Sequence, residues 1–298
     1  MGLRIICIMK PAVAFITGGT SGIGFAAASA LAQIGLHVVI TGRDPHKCEI
    51  ATRKIQRLYG DQSISYLTAD LSSLTDIRSL AERFDNIYGS LSILINNAAT
   101  IAWSRQQSQD GIEMTFAVNH IGHFLLTNLL LPKLMNSQPS RIINVSSAAH
   151  VGARINVDEI HNPTTYQPWE AYKQSKMANI LFTYSLSEKL KDTAVTVNAV
   201  HPGLVATNLP SNGKIPIPWI SKPLLRLILS IIGRDPKKSG LEIAYLATSS
   251  HFLKCTGLYF VDGTSVQPDE MSRDKNLAKQ LWDLSSRITE SHSNNKPL

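Results

Sequence analysis

The chain has 298 residues, 44% of them hydrophobic, enough to bury a large core as one α/β domain, and no linker or repeat marks a second. A formal net charge of +7 calls for anionic partners, but the basic residues are scattered rather than interleaved with aromatics, which sets nucleic acid aside in favour of a phosphorylated cofactor or an acidic membrane surface. Cys7, Cys48 and Cys255 are too few and too far apart for a disulfide framework or a metal knuckle, and they point to a reducing, cytoplasmic compartment.

Residues 1–11 read as an N-terminal extension. Met1 to Met9 is mildly apolar, too short to span a bilayer and without a small-residue cleavage site, so it is either the stump of a longer anchor or an extra turn. Ala12 to Thr17 is a buried strand followed at once by Gly18-x-x-x-Gly22-x-Gly24 and a helix from Phe25 to Ile34. A second strand, His37 to Thr41, leads to a helix through Tyr59, and Ile64 to Thr68 is a third strand before a helix over 75–88. Leu91 to Asn96 is a fourth strand, and a long helix runs from Gly111 to Met135. Arg141 to Ser147 is a fifth strand, Trp169 to Leu190 a helix, Ala194 to Val200 a sixth strand and Leu258 to Val261 a seventh. Strands alternating with helices of this length require right-handed crossovers and a parallel sheet covered on both faces. The expected fold is a single doubly wound Rossmann-type α/β domain with a seven-stranded parallel sheet over residues 12–265, then a C-terminal helix and tail over 266–298.

The glycine loop lies between a strand and a helix, where glycine permits a tight turn and close approach of a pyrophosphate to the positive end of the helix dipole. Gly18, Thr20, Ser21, Gly22, Ile23 and Gly24 are its candidate contacts. The end of the second strand reads Thr41-Gly42-Arg43-Asp44. Arg43 is placed for charge-assisted hydrogen bonds to a ribose 2′-phosphate, whereas Asp44, beside Pro45, reads as the cap of the next helix; NADP(H) is therefore favoured over NAD(H). Asp70 and Leu71 follow the third strand, Asp70 as acceptor for an adenine amino group or as a helix cap. Asn97, in Asn96-Asn97-Ala98-Ala99, lies on the strand edge where open sheets bind ligands. Asn119 is a poor helix former inside a helix pattern, which points to a polar task. Pro202 and Gly203 force a turn after the sixth strand. The histidines show no metal-ligand spacing, and Asn144-Val145-Ser146 is an accidental glycosylation sequon inside a buried strand.

Tyr172 and Lys176, four apart, share one helix face. A phenol has an ordinary pKa of about 10, and a neighbouring ammonium is expected to lower it toward the working range of an acid–base group.

With the glycine loop, Asn96-Asn97-Ala98, Asn119, Ser147, Tyr172-x-x-x-Lys176 and Pro202-Gly203 in this order, the chain resembles the short-chain dehydrogenases/reductases, and within them the retinol dehydrogenase-like members. Arg141 to His150, Asp110 to Leu131 and the spacing between Ser147 and Tyr172 carry the nearer likeness. The resemblance implies Tyr172 as general acid/base, Lys176 as the group that lowers its pKa and holds the nicotinamide ribose, and Ser147 as donor to the substrate oxygen. It implies Asn119 as holder of a relay water and Pro202, Gly203 and Thr207 as contacts of the nicotinamide end. The implied reaction is NADP(H)-dependent hydride transfer to or from a lipophilic alcohol, aldehyde or ketone such as a retinoid, steroid or fatty carbonyl. Ala99 departs from the usual Gly. Light-dependent protochlorophyllide reductases share Asn-Asn-Ala-Ala and stand as an alternative, as does a non-catalytic NADP(H) sensor. The apolar run Ile215 to Ile232 falls where the family has its substrate lid (208–235), and its basic residues also suit peripheral contact with anionic lipid. A homo-oligomer is left open.

Overall fold

A computed structural model of the chain describes residues 12–203 and 235–291. Eight strands form one sheet in the order β3-β2-β1-β4-β5-β6-β7-β8. They are β1 (Val13–Thr17), β2 (His37–Gly42), β3 (Ile64–Thr68), β4 (Ile93–Asn96), β5 (Ser140–Val145), β6 (Val195–His201), β7 (Leu258–Val261) and β8 (Thr264–Val266). The first seven run parallel and β8 pairs antiparallel with β7, which corrects the expected seven strands to eight. The reason is a tight hairpin at Asp262-Gly263, both with positive φ (52° and 73°). An Asp-Gly pair favours that turn, because aspartate tolerates the left-handed region and glycine enters it freely.

The α-helices among the described residues are α1 (Gly22–Gln33), α2 (Pro45–Tyr59), α3 (Leu74–Ile87), α4 (Met114–Asn136), α5 (Pro168–Lys189), α6 (Pro236–Thr248) and α7 (Lys275–Ser291). The alternation of β1 shows how the two faces of the sheet are used. Val13 and Phe15 join the core that contains Phe84 of α3, Phe124 of α4, Leu181 of α5 and Leu281 of α7. Ala14 and Ile16 join the other, with Leu31 of α1, Ile55 of α2 and Ile243 of α6. Successive side chains point to opposite faces, so a continuous apolar strand serves two cores.

Local signals set most helix starts. Asp44 accepts a hydrogen bond from the Lys47 amide (3.2 Å) with Pro45 at the first helical position, as its expected cap role requires. Helix α6 was not foreseen, although Asp235, which accepts from the Lys237 amide (2.9 Å), and Pro236 repeat the same signal. Glu113 starts α4 three residues later than expected, by accepting from the amides of Thr115 (2.8 Å) and Phe116 (2.7 Å). Helix α4 is long and apolar enough to cross a membrane, but 72% of its most apolar window is buried, so here it is a core helix. The extension (1–11), Thr207, nearly all of the expected lid and the tail (292–298) lie outside the described residues.

Candidate active site

The strand order reverses between β1 and β4, so loops diverge there and leave a crevice at the carboxyl ends of the strands. The glycine loop leaves β1 at this point. Gly18 (φ 68°) and Gly22 (φ 58°) occupy the left-handed region. Gly24 must lack a side chain, because a Cβ there would lie 2.4 Å from the Gly18 carbonyl oxygen and 2.5 Å from Asn97 Nδ2. Ser21 precedes α1 in extended conformation, exposed and with its hydroxyl making no cap hydrogen bond. The first turn of α1 carries no acidic residue. Thr20 and Ile23 are half-buried beside it. This donor set fits an anionic group: helix-end amides, an uncapped hydroxyl and the positive dipole end. Arg43 is exposed just beyond β2.

Other expected contacts serve the loop itself. Asn97 Nδ2 donates to the carbonyls of Thr17 (2.8 Å) and Gly18 (3.3 Å), bracing the end of β1 against the end of β4. Asp70 Oδ1 accepts from the amide (2.9 Å) and hydroxyl (2.8 Å) of Ser72, while Ser73 caps α3. The helix-cap alternative for Asp70 is thereby corrected, since the cap lies three residues further on. Leu71 is buried, with its carbonyl against Gly122 of α4. Pro202 is buried and Gly203 turns with φ 85°. The Pro202 carbonyl accepts from Ser239 Oγ of α6 (2.5 Å), a tether with no sequence signature.

Tyr172 and Lys176 lie on the face of α5 that packs against β5. Tyr172 is 8% exposed, and its ring contacts Trp169 (stacked, centroids 5.5 Å apart) and Lys176 Nζ (5.6 Å from the centroid). Lys176 is 2% exposed and donates to the Val145 carbonyl at 3.1 Å. Burial lowers its pKa to about 8. Burial also raises the Tyr172 phenol above its ordinary value, with the Ser147 hydroxyl pulling the other way. The expected lowering of Tyr172 by Lys176 is therefore corrected: in this protein desolvation prevails, and Ser147 opposes it. Ser146 is turned away and donates to the Lys176 carbonyl (2.7 Å).

Asn119 lies in a stretch of π-helix, Ala117–Ile121, inside α4. A π turn inserts an extra residue and re-aims side chains. Asn119 is fully buried. Its Oδ1 accepts from the Thr100 amide (2.8 Å), and its Nδ2 donates to the Thr100 carbonyl (3.0 Å) and to Ser175 Oγ (3.0 Å). Ser175 donates in turn to the Tyr172 carbonyl (2.8 Å), so Asn119 is tied to α5. Ser147, Tyr172, Lys176 and Asn119 thus come together around the start of α5, beside the glycine loop. Two members of this neighbourhood escaped the sequence reading, Thr17 and His123, because a buried threonine and a helical histidine carry no local sign of their partners.

The sequence profile of the short chain dehydrogenase family matches residues 12–214. The chain is 39% identical over 292 residues to short-chain dehydrogenase TIC 32 A, chloroplastic, of Brassica napus (95% of this chain, 90% of the relative). It is 38% identical over 274 residues to retinol dehydrogenase 13 of Homo sapiens (92% and 83%). Among solved structures it is similar to the Pseudomonas aeruginosa RhlG/NADP active-site complex, with a TM-score of 0.65, 26% identity and coverage of 85% of this chain and 95% of that one. The sheet order, the glycine loop and these likenesses agree: the chain belongs to the short-chain dehydrogenase/reductase family of oxidoreductases, among its retinol dehydrogenase-like members.

Proposed function

We propose that the protein is an NADP(H)-dependent alcohol dehydrogenase/carbonyl reductase acting on a lipophilic substrate, with Tyr172 as general acid/base. The observation that carries this reading is the buried Tyr172–Lys176 pair, one turn apart on α5, with the Ser147 hydroxyl acting on the phenol. The nicotinamide, when bound, supplies or accepts the hydride. Gly18, Thr20, Ser21, Gly22, Ile23 and Gly24 would hold the pyrophosphate, Asp70 and Leu71 the adenine side, and Asn97, Pro202, Gly203 and Thr207 the remainder. Arg43 would hold a 2′-phosphate, and the NADP bound in the RhlG complex supports that choice. The apolar run 215–232 and the likeness to a retinol dehydrogenase support an apolar substrate.

In the reductive direction, Ser147 and Tyr172 hydrogen-bond the carbonyl oxygen, and the charge that develops there meets preset donors. Burial keeps Tyr172 protonated at neutral pH, the form that can give its proton to the forming alcohol. Lys176 is charged below about pH 8, and its ammonium would donate to the nicotinamide ribose beside Tyr172. The reduction rate should therefore fall as pH rises through about 8, where Lys176 loses its proton.

The test is oxidation of NADPH and of NADH against retinal, a medium-chain aldehyde and a steroid ketone. Turnover of an apolar carbonyl, faster with NADPH, and a drop of about 100- to 10,000-fold in Tyr172→Phe are expected, the usual contribution of a general acid–base group. Full activity of Tyr172→Phe would sink the proposal. NADPH binding without turnover of any of the three would move the reading to a cofactor-sensing protein.

A further inference from the structure

Two buried residues outside the expected catalytic set, Thr17 and His123, form a chain of hydrogen bonds from the cofactor loop to Asn119 and so to the catalytic helix. The Thr17 hydroxyl, at the end of β1, accepts from the amides of Asn97 (2.9 Å) and Ala98 (3.0 Å). These two donors occupy the lone pairs of the oxygen, so its one proton must go to an acceptor. His123 Nε2 lies 2.9 Å away and the Ile95 carbonyl 3.5 Å away, so the imidazole takes it. Nε2 is then the bare nitrogen, and Nδ1 carries the proton and donates to the Asn119 carbonyl at 3.0 Å. An imidazolium would press a third donor onto Thr17, and burial, with Lys176 and His120 as the titratable groups facing the ring, holds the pKa down at about 3. Thr17, His123 and Asn119 are 0%, 2% and 0% exposed, so no water shares these groups at the surface.

We propose that His123 is a positioning residue: its ring ties the end of β1, and with it the glycine loop, to the π turn that presents Asn119 to the Tyr172 helix. This rests on the catalytic reading of Tyr172 given above. The Thr17 arm holds the loop that meets the cofactor, and the Asn119 arm holds the backbone of the π turn whose side chain is tied through Ser175 to the Tyr172 carbonyl. A buried histidine that only fills space would not need both nitrogens committed to two different functional elements.

The two arms are separable by substitution. In His123→Asn the amide nitrogen falls near the position of Nδ1 and keeps the bond to Asn119, but the side chain is too short for Thr17. In His123→Gln the amide reaches the position of Nε2 and Thr17, but bypasses the Asn119 carbonyl. His123→Phe keeps the ring volume and loses both. NADPH affinity, read by fluorescence titration without turnover, reports the first arm. The pH profile of kcat with an apolar aldehyde reports the second.

The expected result is a loss of NADPH affinity of about 5–30-fold in His123→Asn with an unchanged pH profile, the effect of one unsatisfied buried group. His123→Gln should keep NADPH affinity within about 2-fold but lower kcat about 5–30-fold and displace its alkaline limb. His123→Phe should show both effects. Identical losses in both readouts for His123→Asn and His123→Gln, or wild-type values throughout, would overturn the proposal and leave His123 a packing residue. If the unmodified protein turns over none of the aldehydes, the catalytic reading fails, and the contrast in NADPH affinity between His123→Asn and His123→Gln still decides the Thr17 arm.

Discussion

Lys176 shows how a functional residue strains the economy of its own fold. The residue is 2% exposed, and burial alone brings its pKa from 10.5 to about 8. Below pH 8 both the folded and unfolded chains carry the charge, and folding bears the whole penalty of desolvating it. Between pH 8 and 10.5 the folded form sheds its proton first and stability rises; above 10.5 the penalty is gone. Lys176→Met should therefore be more stable than the natural protein at pH 7, by up to about 3 kcal/mol, with the gain fading by pH 11 and turnover abolished. Urea denaturation at the two pH values measures this, and equal gains at both would refute it. The Val145 carbonyl would keep the Asn179 amide as donor (3.2 Å). Arg43 belongs to binding rather than stability. Arg43→Ala should weaken NADPH about 10-fold or more and leave NADH unchanged, because only the former offers a 2′-phosphate for charge-assisted hydrogen bonds; titration with each dinucleotide distinguishes them.

Helix α4 is where an element, rather than a residue, shapes the site. It holds both Asn119 and His123, and its π turn ends at Ile121 beside Gly122. A Cβ on Gly122 would lie 2.4 Å from the Leu71 carbonyl oxygen and 3.2 Å from that of Ala117. Both are backbone atoms, so neither can rotate aside. Only glycine lets the helix approach the Asp70-Leu71 loop this closely. Gly122→Ala should therefore shift the helix or the loop, lowering stability by about 1–3 kcal/mol as overpacking does, and weaken NADPH binding through Leu71. Thermal denaturation and NADPH titration together test this, and a variant with unchanged melting temperature and affinity would refute it. The π turn itself was not legible in the sequence. Asn119 is a poor helix former, but nothing local announces an extra residue per turn; the partners that call for it, Thr100 and Ser175, come from other parts of the chain.

At the scale of the whole molecule, two buried histidines make the fold sensitive to acid. Burial lowers His120 to about 4 and His123 to about 3, from an ordinary 6.5. Folded, both stay neutral; unfolded, both take up protons as pH falls below 6.5. The unfolded chain then binds more protons, so stability falls with falling pH through this window. The loss should reach about 3 kcal/mol per histidine by pH 4 at most, and chemical denaturation at pH 7, 5.5 and 4.5 checks it. A flat stability curve across that range would contradict the burial of two neutral imidazoles.

Local chemistry made much of this protein legible before any coordinates. Continuous apolar runs bounded by turn signals placed seven strands, and longer apolar patterns most helices, because strands of a sheet covered on both faces are apolar throughout. Asp44-Pro45 announced a helix start, and the ordered motifs from Gly18 to Gly203 announced the family. The Asp262-Gly263 hairpin and the Asp235-Pro236 helix start rest on equally local signals. What only the tertiary structure decided depends on groups far apart in sequence. The rise of the Tyr172 pKa is one such property, since burial is made by the whole core and no spacing of Tyr and Lys reveals it. The tether of Pro202 to Ser239 and the line from Thr17 through His123 to Asn119 are others. Hydrogen-bond partners of buried groups are set by three-dimensional packing, and a sequence lists donors and acceptors without saying which of them meet.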